Sequence, residues 1–343
     1  MSVQIGIVGC GGMGNMHRSC CVLSDAAKLI AVWDVDWEKC KAKASEWGVE
    51  ACPSLEDLLS KPEIDAVFVT TPTPSHAEIA LAVLNHKKHV FVEKPLARTL
   101  EQARMLKEAM ARTDRICMVG QCIRFWPEYR FLKEAVTDGR WGRLVTARFH
   151  RTAACPSWDK GNWFADGEQS GSAALDLHTH DTDFVVYAAG IPDAVQSFGT
   201  YDRKAGWWQI VSRYIYPNGP QVYSEGAWYF VEEFPFNMSY RANFEEGILD
   251  YDMSREKPLW FHPKSGKPFE PELPPMPKLK GEGINISDLG AYFLEDQYFF
   301  ECIAQGKKPD TATFETSYDS ARVVFAEIRS AEEDRRVKIV EMV

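Results

Sequence analysis

Two side chains in the middle of the chain have the types and the spacing of an acid–base pair. Asp176 and His180 are four residues apart, and Asp183 follows seven residues after Asp176. The apolar pattern predicts one helix over residues 170–187, which Gly190 ends. Residues four apart on one helix share a face, so the carboxylate would lie beside the imidazole. Such a carboxylate raises the pKa of an imidazole and fixes its tautomer, as a general base near neutral pH requires.

The same stretch has other interpretations. The helix dipole favours acidic residues in the first turn of any helix, whatever its function. A metal site has the right composition here, although helical geometry scatters the side chains and we expect no metal. Its four ligands would be His178, His180, Asp181 and Asp183. His178 is only two residues from His180, so we expect it to point away and to serve in packing or hydrogen bonding.

A glycine-rich turn near the N-terminus predicts a nucleotide site. A strand over residues 3–8 is followed by Gly9, Gly11 and Gly14, and then by a helix over residues 15–23. In this strand–turn–helix context the first glycine permits a tight turn and the second lets the backbone approach a pyrophosphate. The third lets the helix pack closely on the strand, and the helix N-terminus receives the negative charge.

An acid follows at the position that selects the cofactor. Asp34 ends the strand predicted over residues 28–33 and lies 20 residues after Gly14. An acid at this distance binds the adenosine ribose hydroxyls. Because it also repels a 2′-phosphate and no arginine follows it directly, the sequence favours NAD over NADP.

Strands and helices alternate through the first third of the chain, which predicts an α/β fold with a parallel sheet. The later strands are predicted over residues 65–70, 89–92 and 116–119, and the helices between them over residues 38–47, 55–60, 75–85 and 100–112. Two loops at strand carboxyl ends, residues 70–76 and 93–95, lie where open α/β sheets bind ligands. The alternatives are a capped turn for the first loop and an ordinary surface lysine for Lys94.

Five motifs together resemble the Gfo/Idh/MocA oxidoreductase family, which includes inositol dehydrogenases and glucose–fructose oxidoreductase. They are the turn at residues 9–14, Asp34, Thr-Pro-x-x-x-His at residues 71–76, Glu93-Lys94-Pro95, and Asp176-x-x-x-His180. The resemblance covers nearly the whole chain, including residues 292–309 and 320–330. It implies a Rossmann dinucleotide-binding domain over residues 1–121. It also implies an α/β domain over residues 122–343, with a large, mostly antiparallel sheet that is open on one face.

The second domain has a matching pattern. After a helix over residues 127–137, strands are predicted over residues 144–151, 194–201, 209–216, 221–231, 239–244 and 247–253. Their alternating aromatic and polar residues suit a sheet with one face on helices and the other on a partner subunit. The resemblance therefore implies a homodimer or homotetramer formed through this sheet. The proline-rich residues 258–277 are expected to form an irregular loop or arm.

The resemblance implies roles for individual residues. The catalytic set is Lys94, Asp176 and His180. The cofactor-binding set is Gly9, Gly11, Gly12, Met13, Gly14, Asp34, Thr71, Pro72, Thr73, His76, Glu93, Lys94 and Gln121. Arg124, in Arg-Phe-Trp-Pro, matches an element near the substrate and joins the catalytic residues in the substrate-binding set. The bond between Lys94 and Pro95 matches one that is often cis in the family.

Some positions depart from the family pattern. Thr73 stands where many members have Asn, and Phe164 stands where Arg is frequent. Ser172 replaces a glycine of the usual Gly-Gly run, and His178 stands in a segment that usually has a glycine.

Aromatic residues point to the substrate class. Flat rings pack well on the apolar faces of sugars, and Trp158 and Trp163 are predicted to line the substrate site. The alternative is that most of the eleven tryptophans fill the core and the subunit interface.

Composition excludes several other classes. The net charge of −10 argues against nucleic-acid binding. No apolar run approaches the roughly 20 residues that span a bilayer, and no signal peptide is visible. Nine cysteines without any Cys-x-x-Cys spacing are typical of reduced thiols, so we expect a cytoplasmic protein.

The sequence thus predicts an NAD-dependent oxidoreductase that moves a hydride between the nicotinamide and a secondary hydroxyl of a sugar, glycoside or cyclitol. One alternative is a redox-cycling enzyme that uses tightly bound NAD for isomerisation, elimination or glycoside cleavage. Another is a non-enzymatic regulator that senses NAD or a sugar. A third is a reductase of a different class of substrate, such as a dihydrodiol or an aromatic ketone.

Overall fold

The computed structural model describes residues 2–157, 163–277 and 289–342. The chain forms two compact units, one of Met1–Phe125 with Met276–Tyr318 and one of Trp126–Pro275 with Asp319–Val343. The sequence instead predicts two continuous domains that meet after residue 121. The difference arises because a late helix carries Phe299 and Phe300, which are fully buried in the apolar core of the first unit.

The first unit contains a six-stranded parallel sheet in the order β3-β2-β1-β4-β5-β6. Its strands are β1 (Val3–Val8), β2 (Ala27–Trp33), β3 (Glu50–Ala51), β4 (Ala66–Val69), β5 (His89–Glu93) and β6 (Cys117–Gly120). The order reverses direction between β1 and β4, and in such sheets ligands bind beyond the strand carboxyl ends at this point. The Rossmann sheet expected from the sequence is therefore confirmed.

Among the described residues, six α-helices belong wholly to this unit. They are α1 (Gly12–Leu23), α2 (Trp37–Trp47), α3 (Leu55–Leu59), α4 (His76–Asn85), α5 (Leu100–Ala111) and, from the later segment, α10 (Gly290–Gln305). Local chemistry fixes several of their ends. The Asp36 side chain accepts the Lys39 N–H at the start of α2, and Thr99 and Gln102 form a reciprocal capping box at the start of α5.

The second unit contains an eight-stranded sheet in the order β13-β12-β11-β7-β10-β9-β8-β14. Its strands are β7 (Leu144–Ala154), β8 (Ala194–Asp202), β9 (Gly206–Ile215), β10 (Gln221–Tyr229), β11 (Asn237–Phe244), β12 (Gly247–Asp252), β13 (Leu259–Pro263) and β14 (Val337–Lys338). Only the pair of β7 and β10 is parallel, which confirms the mostly antiparallel sheet.

Strand β13 lies in the stretch expected to be irregular, so that expectation is wrong at this point. Leu259 and Phe261 are buried, and the Phe261 ring stacks on Trp141 with 3.8 Å between centroids. These apolar contacts stabilise a strand in the proline-rich stretch. The strand is too short for a hydrophobic period to indicate it in the sequence.

The helices of the second unit are α6 (Pro127–Asp138), α7 (Gly167–Ser170), α8 (Ser172–Asp176) and α9 (Thr179–Ala189), and α11 (Phe314–Glu333) contributes its residues from Asp319 onward. The single helix predicted over residues 170–187 is therefore wrong. Left-handed backbone at Gly171 (φ +74°) and Ser172 (φ +64°) separates α7 from α8. Between α8 and α9 the N–H of His178 bonds five residues back, to the Ala173 carbonyl, which breaks the regular helix.

One face of the eight-stranded sheet contacts α8 and α9. On the other face, four exposed residues lie opposite one another on neighbouring strands and form a cross-strand row: Arg213, Tyr223, Arg148 and Arg241. Within the described chain, no helix is both long enough and apolar enough to cross a membrane.

Candidate active site

The glycine-rich turn after β1 is tightly packed at two glycines and open at the third. Gly9 has φ +100°, and a Cβ there would lie 2.8 Å from the backbone of Thr70. A Cβ on Gly14 would lie 2.1 Å from the Gly9 carbonyl oxygen, whereas one on Gly11 would meet nothing within 4 Å. Helix α1 begins directly after, at Gly12 and Met13, with no acidic residue in its first turn. The turn therefore fits a dinucleotide, whose pyrophosphate would approach Gly11 and the helix N-terminus.

The Asp34 carboxylate is held beside this turn. One of its oxygens, Oδ2, accepts the Cys10 N–H at 2.8 Å and the Lys39 ammonium at 2.8 Å. The other oxygen accepts the Asp36 N–H at 3.0 Å. Asp34 is only 7% exposed, so the protein fixes its orientation next to the cofactor turn. Such an anchored acid suits the ribose hydroxyls of NAD.

This geometry predicts a change of cofactor preference in Asp34→Ser. The substitution removes the charge that repels a 2′-phosphate and releases the Lys39 ammonium to pair with it. We expect the ratio of the Kd for NADH to the Kd for NADPH to rise on the order of tenfold or more, as measured by fluorescence titration. Asp34→Ser combined with Lys39→Ala is the control and should lose most of the gain. An unchanged ratio in Asp34→Ser would show that Asp34 does not select the cofactor.

The loop after β4 is tied to the loop after β5 by His76. Its ring is buried, with Nδ1 2.9 Å from the Pro95 carbonyl oxygen and Nε2 2.8 Å from the Thr71 carbonyl oxygen. Burial lowers the pKa of His76, although hydrogen bonds to these carbonyls oppose the shift. Pro72 is exposed, and Thr73 is buried in the 3₁₀ turn Thr73–Ser75. His76 thus joins the two loops that carry predicted cofactor-binding residues.

Glu93 and Lys94 differ in burial at the end of β5. Glu93 is buried, with Oε1 2.8 Å from His17 Nε2, and its Oε2 accepts the backbone N–H of Lys94 at 3.1 Å. Lys94 is half-buried, and the bond to Pro95 is cis, as the resemblance implied. The Glu93 carboxylate therefore holds the backbone of the loop from within the unit.

Two residues that sequence reasoning missed complete this cluster. His17 lies on α1 and Asp296 on α10, and the His17 Nδ1 is 2.9 Å from Asp296 Oδ1. The imidazole also packs against Phe68 and Phe91, with centroid distances of 4.8 and 5.0 Å. Asp296 lies within residues 292–309, which match the family pattern, but the sequence gives no sign of its partner 279 residues away.

Gln121 and Arg124 lie after β6, and both are buried. The Arg124 Nη1 donates to the hydroxyls of Thr311 at 3.4 Å and Thr316 at 3.2 Å, in the returning segment of the first unit. Arg124 was predicted near the substrate, and the structure places it in the first unit, not at the start of the second.

In the second unit, Asp176 and His180 lie on two helices instead of one. Asp176 is the last residue of α8 and is buried, whereas His180 is in the first turn of α9 and is half-buried. The predicted shared face of a single helix is therefore replaced by a junction at Leu177 and His178. The positions of both side chains depend on what holds this junction.

A buried polar network holds the junction. His178 Nε2 lies 3.2 Å from Ser224 Oγ and 3.4 Å from Glu327 Oε1. Thr182 donates its hydroxyl to Glu327 Oε2 at 2.9 Å, and a Cβ on Gly226 would lie 2.7 Å from His178 Cβ. The prediction that His178 is a packing and hydrogen-bonding residue is confirmed.

The remaining acids of this segment have separate partners. The Asp181 carboxylate accepts from the Arg151 guanidinium at 2.9 and 3.0 Å, and both residues are buried. Asp183 Oδ1 accepts the hydroxyl of Ser320 at 2.7 Å. These contacts join α9 to β7 and to α11 within the second unit.

The backbone at Ser172 has a conformation that favours glycine, the residue that is usual at this position in the family. Its φ of +64° is costly for a residue with a Cβ, and its buried hydroxyl has no hydrogen-bond partner among the described residues. We expect Ser172→Gly to raise the free energy of unfolding by about 1 kcal/mol, as measured by urea denaturation. This is a net value, because relief of the backbone strain outweighs the greater conformational entropy that glycine gives the unfolded chain. The control is Ala173→Gly, one residue on, which should lower it by about 1 kcal/mol. Equal losses in both variants would contradict the strain.

Of the two tryptophans assigned to the substrate, one can be placed. Trp163 starts the 3₁₀ helix Trp163–Ala165 and is half-buried, and its ring lies 4.1 Å from that of Phe164. Trp158 lies outside the described residues.

Both halves of the chain match sequence models of one family. Residues 3–121 match the model described as "Oxidoreductase family, NAD-binding Rossmann fold". Residues 129–244 match the model described as "GFO/IDH/MocA C-terminal domain".

Several of the curated relatives are inositol dehydrogenases. The chain is 33% identical over 190 residues to myo-inositol 2-dehydrogenase of Thermotoga maritima, which covers 55% of each protein. It is 31% identical over 191 residues to scyllo-inositol 2-dehydrogenase (NAD(+)) of Bacillus subtilis, which covers 55% of this chain and 54% of that relative. The matches thus span about half the length of these relatives.

A solved structure agrees over a longer stretch. Levoglucosan dehydrogenase in complex with NADH and levoglucosan superimposes with a TM-score of 0.86, at 22% identity, over 98% of this chain and 99% of that one. At this identity the similarity establishes the fold.

Proposed function

The chain belongs to the Gfo/Idh/MocA oxidoreductase family, and we propose that it is an NAD-dependent dehydrogenase acting on a secondary hydroxyl of a sugar, glycoside or cyclitol. Its N-terminal unit contains the family's NAD-binding Rossmann domain. The observation that carries the proposal is the position of Lys94. It follows β5 at the same sheet edge as the glycine-rich turn, in a chain that also retains Asp176 and His180.

The chemistry divides between the cofactor and the protein. When bound, NAD supplies the acceptor for a hydride from the carbinol carbon. We assign the removal of the hydroxyl proton to His180, with Asp176 orienting the imidazole and balancing its positive charge. The Lys94 ammonium donates a hydrogen bond to the same oxygen and stabilises the alkoxide charge that develops there.

The other assigned residues bind and position. Gly9, Gly11, Gly12, Met13, Gly14 and Asp34 hold the adenosine and pyrophosphate end of the cofactor. Thr71, Pro72, His76 and Glu93 are assigned to the nicotinamide end, and Thr73, Lys94 and Gln121 to the cofactor site without a specified end. Arg124, Trp158 and Trp163 contact the substrate, and flat indole rings suit the apolar faces of a sugar ring.

The wider setting is also part of the proposal. The exposed face of the eight-stranded sheet, with Phe198 66% and Tyr223 40% exposed, would form the interface of a homodimer or homotetramer. A cytoplasmic location is supported by the nine cysteines, which carry thiols and not disulfides.

A substrate panel tests the function. The purified protein is incubated with NAD and with myo-inositol, scyllo-inositol, free hexoses, glycosides and the anhydro sugar levoglucosan, and NADH is followed by absorbance. We expect NADH production with at least one polyol or sugar. When NADP replaces NAD, we expect less reduced cofactor to form. Absence of NADH together with a rearranged or cleaved sugar would replace the dehydrogenase by a redox-cycling enzyme. Absence of any product with NAD still bound would favour a regulator.

A further inference from the structure

We propose that His17 is a positioning residue for Lys94, because its imidazole fixes the Glu93 carboxylate, which in turn holds the backbone at Lys94. The inference rests on the proposed function of Lys94. All residues of this chain of contacts belong to the first unit: His17 on α1, Glu93 at the end of β5, and Asp296 on α10.

The first step is the double contact of the His17 ring. Its side chain is fully buried, with Nε2 2.8 Å from Glu93 Oε1 and Nδ1 2.9 and 3.0 Å from the two oxygens of Asp296. Ionised carboxylates only accept hydrogen bonds, so with Glu93 and Asp296 both ionised the two ring nitrogens donate. The ring is therefore an imidazolium that joins the two acids.

The charge of the ring persists over the neutral pH range. Burial by itself lowers the pKa of His17, but the charges and hydrogen bonds of Asp296 and Glu93 outweigh it and raise the pKa to about 9. Burial raises the pKa of Asp296, and the positive charge of His17 opposes that shift. The hydrogen bond from His17 Nε2 to Glu93 is thus charge-assisted, and such a bond is stronger than a neutral one.

The second step leads from Glu93 to Lys94. Glu93 Oε2 accepts the backbone N–H of Lys94 at 3.1 Å. A Cβ on Gly120 would come within 3.1 Å of the carboxyl carbon and both oxygens of Glu93, so β6 confines the carboxylate from the other side. On the far side of Lys94, the Pro95 carbonyl faces His76 Nδ1 at 2.9 Å. The backbone that carries Lys94 is therefore held on both sides.

A purely structural role is a poor explanation for this cluster. A buried ion triad is often no more stable than well-packed apolar residues of the same volume. The imidazole lies in an aromatic cluster, since Phe68 and Phe91 pack on the ring and Phe299 packs on both of them. Ionic contacts orient the Glu93 carboxylate, which apolar packing alone cannot do.

Two substitutions of His17 separate its two contacts. The amide nitrogen of Asn takes about the place of Nδ1 and reaches only Asp296, whereas that of Gln takes about the place of Nε2 and reaches Glu93. We expect His17→Asn to lower kcat about tenfold or more, with the KM for NAD within about threefold, and His17→Gln to keep most of the activity. Val83→Ala, a fully buried change on α4, controls for loss of stability and should leave kcat unchanged.

A second readout does not depend on turnover. Lysines are reductively methylated with carbon-13, and the Lys94 signal is assigned by its loss in Lys94→Arg. We expect this signal to shift in His17→Asn and to keep its wild-type position in His17→Gln and Val83→Ala.

The outcomes are distinguishable. A wild-type Lys94 signal in His17→Asn, or equal kcat in the Asn and Gln variants, would overturn the positioning role. A shifted Lys94 signal in His17→Gln would do so even if His17→Asn does not fold. If the wild-type protein oxidises no sugar but the lysine signal responds as expected, the proposed function fails while the hold of His17 on Lys94 stands.

Discussion

Lys94→Ala is expected to lower kcat for the sugar or cyclitol by about 10²–10⁴-fold while the Kd for NADH changes by less than about threefold. The ammonium is assigned to the alkoxide that develops during hydride transfer, so its loss raises the barrier more than it weakens binding. Lys94 is half-buried, and its backbone is held by Glu93 independently of the side chain. Truncation should therefore leave the loop in place.

The measurement combines steady-state kinetics with fluorescence titration of NADH. Lys28→Ala, which removes an exposed lysine from β2 in the same unit, is the matched control and should behave as the wild type. Near wild-type turnover in Lys94→Ala would remove this lysine from the chemistry. An equal loss in cofactor affinity and turnover would make it a cofactor ligand only.

Asp176→Asn is expected to lower kcat about 10²-fold, again with little change in the Kd for NADH. The substitution keeps the size of the side chain but removes the charge assigned to balance His180 as it takes the proton. Asp176 lies at the end of α8, outside the NAD-binding unit, so the cofactor site should be unaffected. The measurement is kcat on the best substrate of the panel, with NADH affinity measured separately.

Asp193→Asn provides the control for this second substitution. Asp193 is an exposed acid that follows α9, and its loss changes the net charge of the same unit by the same amount. We expect it to retain full turnover. If Asp176→Asn also retains it, Asp176 has no part in orienting the base, and the acid–base pair proposed from its spacing would have to be abandoned.

The first unit could be predicted closely because its local signals agree with its packing. Buried parallel strands are short continuous apolar runs, and β1 was predicted with the bounds that the structure has. The glycine-rich turn and Asp34 were identified from spacing alone, and the structure gives Gly9 and Gly14 a steric reason. The family comparisons confirm the resemblance and the NAD-binding domain.

What could not be predicted depends on contacts between distant segments. Nothing in the local sequence indicates that α10 packs in the first unit, because the apolar side chains of Phe299 and Phe300 could be buried in the core of either unit. The same holds for His17 and Asp296, which are ordinary residues on amphipathic helices until the fold brings them together. The break at Gly171 and Ser172 is different, since a glycine there was a visible signal against a continuous helix. The assignments of Lys94, Asp176 and His180 stay predictions.

The most direct test of the account follows the hydrogen itself. The best substrate of the panel is prepared with deuterium on the carbinol carbon, for example on C2 of myo-inositol, and incubated with NAD and the wild-type protein. The account predicts that the released NADH carries the deuterium at C4 of the nicotinamide, in an amount equal to the ketone formed. Deuterium that remains in the sugar, or that returns to a rearranged sugar without released NADH, would contradict a dehydrogenase.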